Sequence, residues 1–257
     1  MRKVYLFING QLGLDILQFL IQERDTEISA IVINGPGKVK SNYFSIVQEI
    51  LTEKEKEIKL FQYSDELWQD LLFNQELSPA TFGISVLFGH LFPQDLIQKF
   101  NGKLINLHPS LLPIGRGADP IFWSIVDGLP QGATIHRVAK TIDSGEIYTQ
   151  EEVELSSWLN AGQIYELCMA KLYELFIEFY PGWDHSTPSA AQIGKGTYHE
   201  ARDLLRIKSE LLETPGNLFY QLNMVQALTY NDGRKANLVL PNGEIWEVSL
   251  QLKRIQE

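Results

Sequence analysis

Apolar, β-rich segments alternate with helix-spaced apolar patterns through the first 108 residues of the chain. Residues 82–88 are apolar almost throughout, which indicates a strand buried on both faces of a parallel sheet. The alternation predicts an α/β fold with a doubly wound, mostly parallel sheet. The five predicted strands end near residues 8, 33, 61, 88 and 107.

The fifth predicted strand ends in two polar residues, Asn106 and His108, before Pro109. In a doubly wound sheet, ligands bind beyond the carboxyl ends of the strands. Residues two apart on an extended segment face the same way, so an amide and an imidazole are predicted on one side of this strand. A carboxylate such as Asp143 would hold the imidazole in one tautomer and accept protons. These three residues are the best-motivated catalytic candidates on the chain.

Further helix and strand patterns follow the fifth strand. Helical patterns cover residues 120–126, 161–179, 202–212 and 217–229, and β patterns cover residues 132–138, 146–155, 236–240 and 244–250. Asn242-Gly243 between the last two segments is a strong hairpin signal, and this hairpin is expected to pack on the main domain or on another subunit. We therefore expect a catalytic domain over residues 1–182, and a linker with a small helical and β-hairpin subdomain over residues 183–257.

Composition limits the functions open to the chain. Its 257 residues carry a formal net charge of -10, which argues against a broad nucleic-acid-binding surface. The single cysteine, Cys168, allows neither an intrachain disulfide nor a zinc cluster built from thiolates. The histidines are scattered, with His136 interpreted as a structural residue inside a β pattern, so no metal site is expected. No window approaches the ~20 apolar residues that cross a bilayer, and we expect a cytoplasmic, reduced protein.

Two glycine-containing loops are candidate anion sites. Residues 9–13, between the first strand and the first helix, could bind an anion through free backbone N–H groups, but they lack the dinucleotide-binding spacing of glycines. A plain turn remains the alternative. Residues 35–38 also lack the full phosphate-loop pattern, so a Walker site is not expected.

Four motifs resemble the folate-dependent formyltransferases: Asn106 to Pro113, Arg116 to Pro120, Gly132 to His136, and Asp143 to Gly145. The resemblance extends from about residue 3 to about residue 155 and is densest between Phe88 and Gly145. It implies a Rossmann-like formyltransferase fold, with N10-formyltetrahydrofolate as co-substrate and no metal. It also implies that Asn106, His108 and Asp143 are the catalytic trio.

The resemblance implies two further groups of contact residues. The folate contacts would be Phe88, Gly89, His90, Leu91, Ser110, Leu111, Leu112, Val138, Ala139 and Ile142. The acceptor would face the loop after the first strand, and the sugar-nucleotide contacts would be Asn9, Gly10, Gln11, Lys38 and Arg116. Trp183, Tyr198 and Trp246 are candidates for stacking on a thymine base, with ordinary aromatic packing as the alternative.

In the intermediate length of its tail and in its acidic charge, the chain is most similar to the nucleotide-sugar N-formyltransferases. The expected reaction transfers a formyl group to the amino group of a dTDP-linked amino-dideoxysugar, for surface polysaccharides such as lipopolysaccharide O-antigen. The expected partners are a nucleotide sugar and a second copy of the chain, with no nucleic acid and no membrane. The alternatives are a methionyl-tRNA or glycinamide ribonucleotide formyltransferase and, from another class, a non-catalytic sugar-nucleotide sensor.

Overall fold

The structure, a computed structural model, describes residues 1–35, 42–63, 77–155, 158–204, 218–230, 236–239 and 243–248. The predicted substrate contact Lys38, the helix-spaced pattern of the sequence that begins at Asp65, and residues 205–212 of the helical pattern predicted over 202–212 lie outside these ranges. The strands are β1 (Arg2–Ile8), β2 (Thr26–Ile33), β3 (Lys59–Gln62), β4 (Thr81–Val86), β5 (Leu104–His108), β6 (Arg116–Gly117), β7 (Gly132–Arg137), β8 (Ile147–Glu152), β9 (Tyr198–His199), β10 (Ala236–Val239) and β11 (Ile245–Val248).

The helices lie between these strands as the periodicity predicts. They are α1 (Gly10–Gln22), α2 (Tyr43–Glu53), α3 (Gln94–Lys99), α4 (Pro120–Asp127), α5 (Ala161–Phe179) and α6 (Leu218–Leu228), and a 3-10 turn (Tyr180–Gly182) follows α5. Among the described residues, no helix combines the length and the apolar character needed to cross a membrane.

The central sheet has seven strands in the order β3-β2-β1-β4-β5-β7-β8. β1 pairs in parallel with β2 and with β4, β2 with β3, and β4 with β5. The predicted fold class, a doubly wound and mostly parallel α/β sheet, is therefore confirmed. The chain leaves β1 towards β2 and β3, and returns to β4 on the other side of β1. The carboxyl ends of β1 and β4 are consequently the switch point at which such sheets bind ligands.

The chain forms two compact units, each made of separate chain segments. The first contains residues 1–108, 135–149 and 173–191, and the second contains residues 109–134, 150–172 and 192–257. In the first unit, α3 packs on the sheet through a cluster of Tyr5, Phe7, Ala30, Val32, Leu96, Phe100 and Leu104. Gly83 of β4 permits this close approach, because a Cβ there would lie 2.9 Å from Cε1 of Phe100. The division of domains predicted at residue 182 remains a prediction.

The core of the second unit is built mainly from α4, α5 and α6. Its buried members are Ile121, Phe122, Trp123, Ile125, Val126, Val153, Ala161, Ile164, Cys168, Met224, Ala227, Leu228 and Ala236. β10 and β11 form the predicted antiparallel hairpin, with Ala236 opposite Val248 and the connecting residues 240–242 outside the described ranges.

The first loop differs from its prediction, because α1 already begins at Gly10. Asn9 is extended, with φ −151°, and Gly10 takes φ +67°, so the chain turns into the helix within two residues. Gly13 lies against β1 and α2: a Cβ there would lie 2.9 Å from both Ile8 Cβ and Tyr43 Oη. The Tyr43 hydroxyl donates to the Gly10 carbonyl at 2.9 Å, which anchors this turn.

Candidate active site

Asn106 is held by the pairing of β4 with β5. The parallel register sets Ser85 opposite Asn106, and the Ser85 hydroxyl donates to Asn106 Oδ1 at 2.8 Å. Ser85 is only 1% exposed, whereas Asn106 is half-buried. The amide of Asn106 therefore has its oxygen satisfied from the neighbouring strand.

Asp143 and His108 face each other at the end of β5. His108 Nδ1 lies 3.7 Å from Asp143 Oδ2, which is an ion-pair distance and longer than a hydrogen bond. Both side chains are largely buried, with exposed fractions of 7% for the histidine and 13% for the aspartate. Since Nδ1 faces the carboxylate, Nε2 lies on the opposite edge of the His108 ring.

His136 of β7 is the fourth polar residue of this group. Its Nδ1 lies 2.9 Å from the Arg137 carbonyl, and because a carbonyl only accepts, the neutral ring carries its proton on Nδ1. Nε2 then accepts a hydrogen bond from Asn106 Nδ2 at 3.3 Å. Asp143 Oδ1 lies 3.5 Å from the same Nε2, so the carboxylate sits between two imidazoles.

The loop that carries Asp143 is closed by its own backbone. Asp143 takes a left-handed conformation, with φ +48°, which aspartate adopts more readily than most residues. The Ser144 hydroxyl donates to the Thr141 carbonyl at 2.9 Å. A Cβ at Gly145 would run into the carbonyl group of Arg137, so only glycine fits there. The backbone that follows Asp143 therefore packs against the same Arg137 carbonyl that contacts His136 Nδ1.

The structure brings Asn106, His108 and Asp143 together, and it adds two residues that the sequence interpretation did not assign to the site. His136 was interpreted as structural; it is indeed buried and hydrogen-bonded, but its Nε2 faces two of the trio. Ser85 was included in an apolar strand. A polar residue inside such a strand needs a partner, and this need was the available signal.

The first predicted folate stretch follows β4 in the first unit. Phe88 packs against Phe7 and Phe92, and the Gly89 N–H donates to Asn34 Oδ1 at 3.0 Å. The His90 ring stacks on Tyr63 with a centroid distance of 3.5 Å. Leu91 is 71% exposed.

The other predicted folate residues lie in two places. Val138, Ala139 and Ile142 are half-buried in the first unit, and the Val138 N–H donates to the Leu104 carbonyl at 2.7 Å. Ser110, Leu111 and Leu112 belong to the second unit. There the Ser110 hydroxyl donates to the Ile114 carbonyl at 2.7 Å, and Leu112 is buried.

The predicted substrate residues are likewise in both units. In the first, the Asn9 N–H donates to the Val86 carbonyl at 3.0 Å, and Gln11 Nε2 donates to Asp15 Oδ1 at 2.8 Å. In the second, Arg116 Nε and Nη2 both donate to Gln192 Oε1, at 2.9 and 2.5 Å. This guanidinium is oriented by a neutral amide oxygen, which leaves its positive charge uncompensated by that contact.

The three aromatic candidates for base stacking have different environments. Trp183 is fully buried and packs against Phe82 and Phe179, so its role is core packing. Tyr198 and Trp246 are 49% and 59% exposed. Within the part of the chain that the structure describes, no group of three His, Cys, Asp or Glu side chains could hold a metal ion.

An amide donor, two imidazoles and a carboxylate within hydrogen-bond or ion-pair range can stabilise a developing oxyanion and move a proton. These groups lie at the carboxyl ends of β5 and β7 or in the loop after β7. The arrangement therefore suits the attack of a nucleophile on a carbonyl carbon.

Comparison with solved structures supports the fold assignment. A 4-N formyltransferase from Francisella tularensis is 24% identical and covers 99% of both chains, with a TM-score of 0.75. A formyltransferase from Anoxybacillus kamchatkensis, in complex with UDP-4,6-dideoxy-4-formamido-L-AltNAc and tetrahydrofolate, is 27% identical with a TM-score of 0.54. It matches over 78% of this chain and 100% of its own.

Curated relatives give a similar result. A methionyl-tRNA formyltransferase from Mycoplasma genitalium is 32% identical over 64% of this chain and 53% of its own length. A dTDP-4-amino-4,6-dideoxyglucose formyltransferase from Mycobacterium tuberculosis is 31% identical over 59% of this chain and 64% of its own. The chain thus spans between about half and two thirds of these relatives. The sequence profile of the family described as formyl transferase matches residues 3–178. The chain therefore belongs to the formyl transferase family.

Proposed function

We propose that this protein transfers a formyl group from N10-formyltetrahydrofolate to the amino group of a dTDP-linked amino-dideoxysugar, for surface polysaccharide synthesis. The observation that carries the proposal is the convergence of Asn106, His108 and Asp143 at the carboxyl end of β5. In the formyl donor, the carbonyl carbon carries one hydrogen and is bonded to a nitrogen. Transfer of this group needs a hydrogen-bond donor that stabilises the oxyanion and a route for one proton.

In the first step, the acceptor amine attacks the formyl carbon and the carbonyl oxygen becomes an oxyanion. Asn106 Nδ2 and the Nε2–H of protonated His108 are the donors proposed for this oxygen. One such donor is worth about 3 kcal/mol in comparable enzymes. Asp143, 3.7 Å from His108 Nδ1, stabilises the charged imidazole.

In the second step, the bond between the formyl carbon and N10 breaks, and the electron pair stays on N10. The attacking nitrogen has become an ammonium and releases one proton, and N10 takes up one proton. Asp143, directly or through water, is proposed to accept the first proton, and protonated His108 to supply the second. Transfer of one proton from Asp143 back to His108 restores the starting protonation states, so atoms and charge balance with no further reactant.

The folate site proposed from the sequence is compatible with the local chemistry. Phe88, Phe92 and Val138 belong to one apolar cluster in the first unit. Leu91, which is 71% exposed, is accessible to a ligand. The backbone groups of residues 88–91 and 138–142 would supply the hydrogen bonds that a pterin needs. The contacts expected for residues 110–112, in the second unit, stay a prediction from the sequence.

The acceptor class is supported by the relatives. The Mycobacterium tuberculosis relative acts on a dTDP-linked 4-amino sugar, and the Anoxybacillus kamchatkensis enzyme holds a UDP-linked formamido sugar together with tetrahydrofolate. For the sugar nucleotide, Asn9, Gly10, Gln11, Lys38 and Arg116 are the proposed contacts. Of these, Arg116 has the best support, because Gln192 orients its guanidinium without neutralising it.

Methionyl-tRNA is the second candidate acceptor, because the Mycoplasma genitalium relative formylates it and is 32% identical. The formal net charge of -10 disfavours it, since binding to a phosphate backbone depends on positive charge. A non-catalytic sugar-nucleotide sensor is the candidate from another class. The presence of all three catalytic residue types disfavours that reading.

The test is an acceptor panel. Purified protein with N10-formyltetrahydrofolate is offered dTDP- and UDP-linked 3-amino and 4-amino sugars, glycinamide ribonucleotide and methionyl-tRNA, and products are identified by mass spectrometry. We expect formylation of a dTDP-amino sugar. Formylation of the tRNA alone would overturn the acceptor class, and binding of donor and dTDP-sugar without any product would favour a sensor.

A further inference from the structure

We propose that Ser85 is a positioning residue for this reaction: together with His136, it fixes the Asn106 amide so that Nδ2 faces the reacting carbonyl oxygen. The inference rests on the formyl transfer proposed above. Ser85 is 1% exposed and lies in β4 between Ile84 and Val86, both fully buried. A hydroxyl in that setting needs a partner, and its partner is Asn106 on the adjacent strand.

The orientation of the amide decides whether Asn106 can assist the reaction. The two ends of an asparagine side chain are nearly the same size, but the oxygen only accepts hydrogen bonds and the NH₂ group only donates them. Only the NH₂ end stabilises an oxyanion. A rotated amide would direct a partial negative charge at the developing negative charge and oppose the reaction.

Two hydrogen bonds, one at each end of the Asn106 amide, define its orientation. In the neutral His136 ring, the contact with the Arg137 carbonyl places the proton on Nδ1, so Nε2 accepts a hydrogen bond from Asn106 Nδ2 at 3.3 Å. At the other end, the Ser85 hydroxyl donates to Asn106 Oδ1 at 2.8 Å. One hydrogen of Nδ2 is used by His136, and the second is the one proposed to meet the oxyanion.

Removal of the Ser85 hydroxyl should make the Asn106 amide more mobile while Asn106 itself stays in the site. In Ser85→Ala, Asn106 Oδ1 loses the hydrogen bond from β4, and the amide samples orientations that do not donate. We expect kcat to fall roughly three- to tenfold, the range of one hydrogen bond, with the KM for the formyl donor unchanged. Ser85→Thr keeps a hydroxyl and should restore kcat. If the extra methyl group of threonine prevents folding, Ser85→Cys, which keeps a weaker donor, is measured instead.

Thr81→Ala is the matched control. Thr81 lies in the same strand and is 3% exposed, and its hydroxyl lies 3.1 Å from the Ser78 hydroxyl, at the opposite end of β4 from Asn106. It also loses a buried hydroxyl but should keep the wild-type kcat. An equal loss of kcat in both alanine variants would overturn the proposal, because the effect would then be general to the strand.

A double variant that combines Ser85→Ala with Asn106→Ala distinguishes the positioning role from a purely structural role of Ser85. If Ser85 acts through the amide, adding Ser85→Ala to Asn106→Ala changes kcat no further. If Ser85 only supports the sheet, the second substitution lowers kcat by the same factor in both backgrounds, and the proposal is wrong.

A spectroscopic measurement makes the test independent of the acceptor. In the wild-type protein, the Asn106 side-chain NH₂ signals should be shifted and slow to exchange in ¹⁵N NMR spectra, because both ends of the amide are hydrogen-bonded. Ser85→Ala should bring them towards the values of a mobile amide, and unchanged signals would overturn the inference. A wild-type protein that formylates no acceptor would instead contradict the proposed function, while this spectroscopic result would still stand.

Discussion

Asp143 shows how much local backbone geometry the candidate site requires of single residues. Its left-handed conformation directs one carboxylate oxygen to each of two imidazoles, at 3.7 Å from His108 and 3.5 Å from His136. The Asp143-Ser144-Gly145 spacing follows from this geometry, because the third residue passes too close to the Arg137 carbonyl to carry a side chain. The Asp143-Ser144-Gly145 motif therefore supplies both the carboxylate and the backbone conformation that positions it.

We expect His108→Ala and Asp143→Asn each to lower kcat by at least two orders of magnitude with little change in the free energy of unfolding. The first removes a donor to the oxyanion, and the second removes the charge that stabilises the imidazolium. Turnover and denaturant unfolding of each variant check this. His185→Ala and Asp127→Asn, both exposed, are the controls. Near-wild-type turnover in either site variant would contradict the catalytic assignment.

Cys168 illustrates the opposite case, a reactive residue type that the fold makes inert. It is fully buried, and burial raises the pKa of its thiol to about 12, outweighing a hydrogen bond with the Gly132 backbone. The unfolded chain releases this proton near the ordinary thiol pKa. The contribution to stability is therefore complete at lower pH and is lost as the pH rises towards 12.

The native protein should accordingly resist thiol reagents at pH 8. With a pKa of about 12, roughly one molecule in 10⁴ carries the thiolate at that pH. A colorimetric disulfide reagent should detect almost no thiol in the native protein and one equivalent in denaturant. Cys168→Ala should give no signal under either condition, and rapid labelling of the native wild-type protein would show that the site opens.

At the scale of elements, the 3-10 turn that follows α5 is tied to the first residues of β1 and β2 in the first unit. Tyr180 is fully buried, and its hydroxyl lies 2.7 Å from the Thr26 hydroxyl. Arg2 donates to the Tyr180 carbonyl at 2.8 Å and lies over the ring. Burial raises the pKa of Tyr180, so the phenol stays protonated and able to donate at neutral pH. The contacts join the first residue of β1 to the 3-10 turn 178 residues later.

Tyr180→Phe should lower the free energy of unfolding by about 1 kcal/mol, the typical net value of one hydrogen bond. Thr26→Val should lower the free energy of unfolding by a similar amount. The double variant should lose less than the sum of the two single losses, because both substitutions remove the same interaction. Urea unfolding measures all three, with Tyr198→Phe on an exposed residue as the control. Strictly additive losses would mean that the two hydroxyls do not interact.

The elements that periodicity describes were predictable, and those that depend on contacts between distant segments were not. β1 to β5 follow from apolar runs and their spacing, and Asn106 with His108 follows from two-residue alternation. β6 and β9 are two residues each and exist only because they pair, about 80 residues apart. The contacts of Ser85 with Asn106 and of His136 with Asn106 also arise between strands, and no pattern within one strand encodes a partner on another.

For the molecule as a whole, the hairpin of β10 and β11 remains the predicted contact of a homodimer. Ile245 and Trp246 of β11 are 68% and 59% exposed. Because the two residues are consecutive in the strand, their side chains lie on opposite faces of the hairpin, and the exposed Trp246 ring marks the face proposed to meet the second copy.

We expect light scattering to report a dimer for the wild-type chain and a shift towards monomer for Trp246→Asp. The substitution introduces a charge into an apolar contact, which disfavours association. Ile193→Asp, on a residue that is 86% exposed in another segment, is the control and should leave the dimer intact. A wild-type monomer, or a dimer unaffected by Trp246→Asp, would rule out this interface.

The interleaving of the two compact units has a consequence for synthesis on the ribosome. The chain passes from one unit to the other five times, and the last segment of the first unit is residues 173–191. Counted from residue 1 at typical elongation rates, that segment emerges only after ~10–40 s. It carries Tyr180 and Trp183, whose rings cover Phe19 and Phe82. Until then the nascent chain exposes apolar surface of α1 and β4, and a translation product released early should be a substrate for chaperones and proteases.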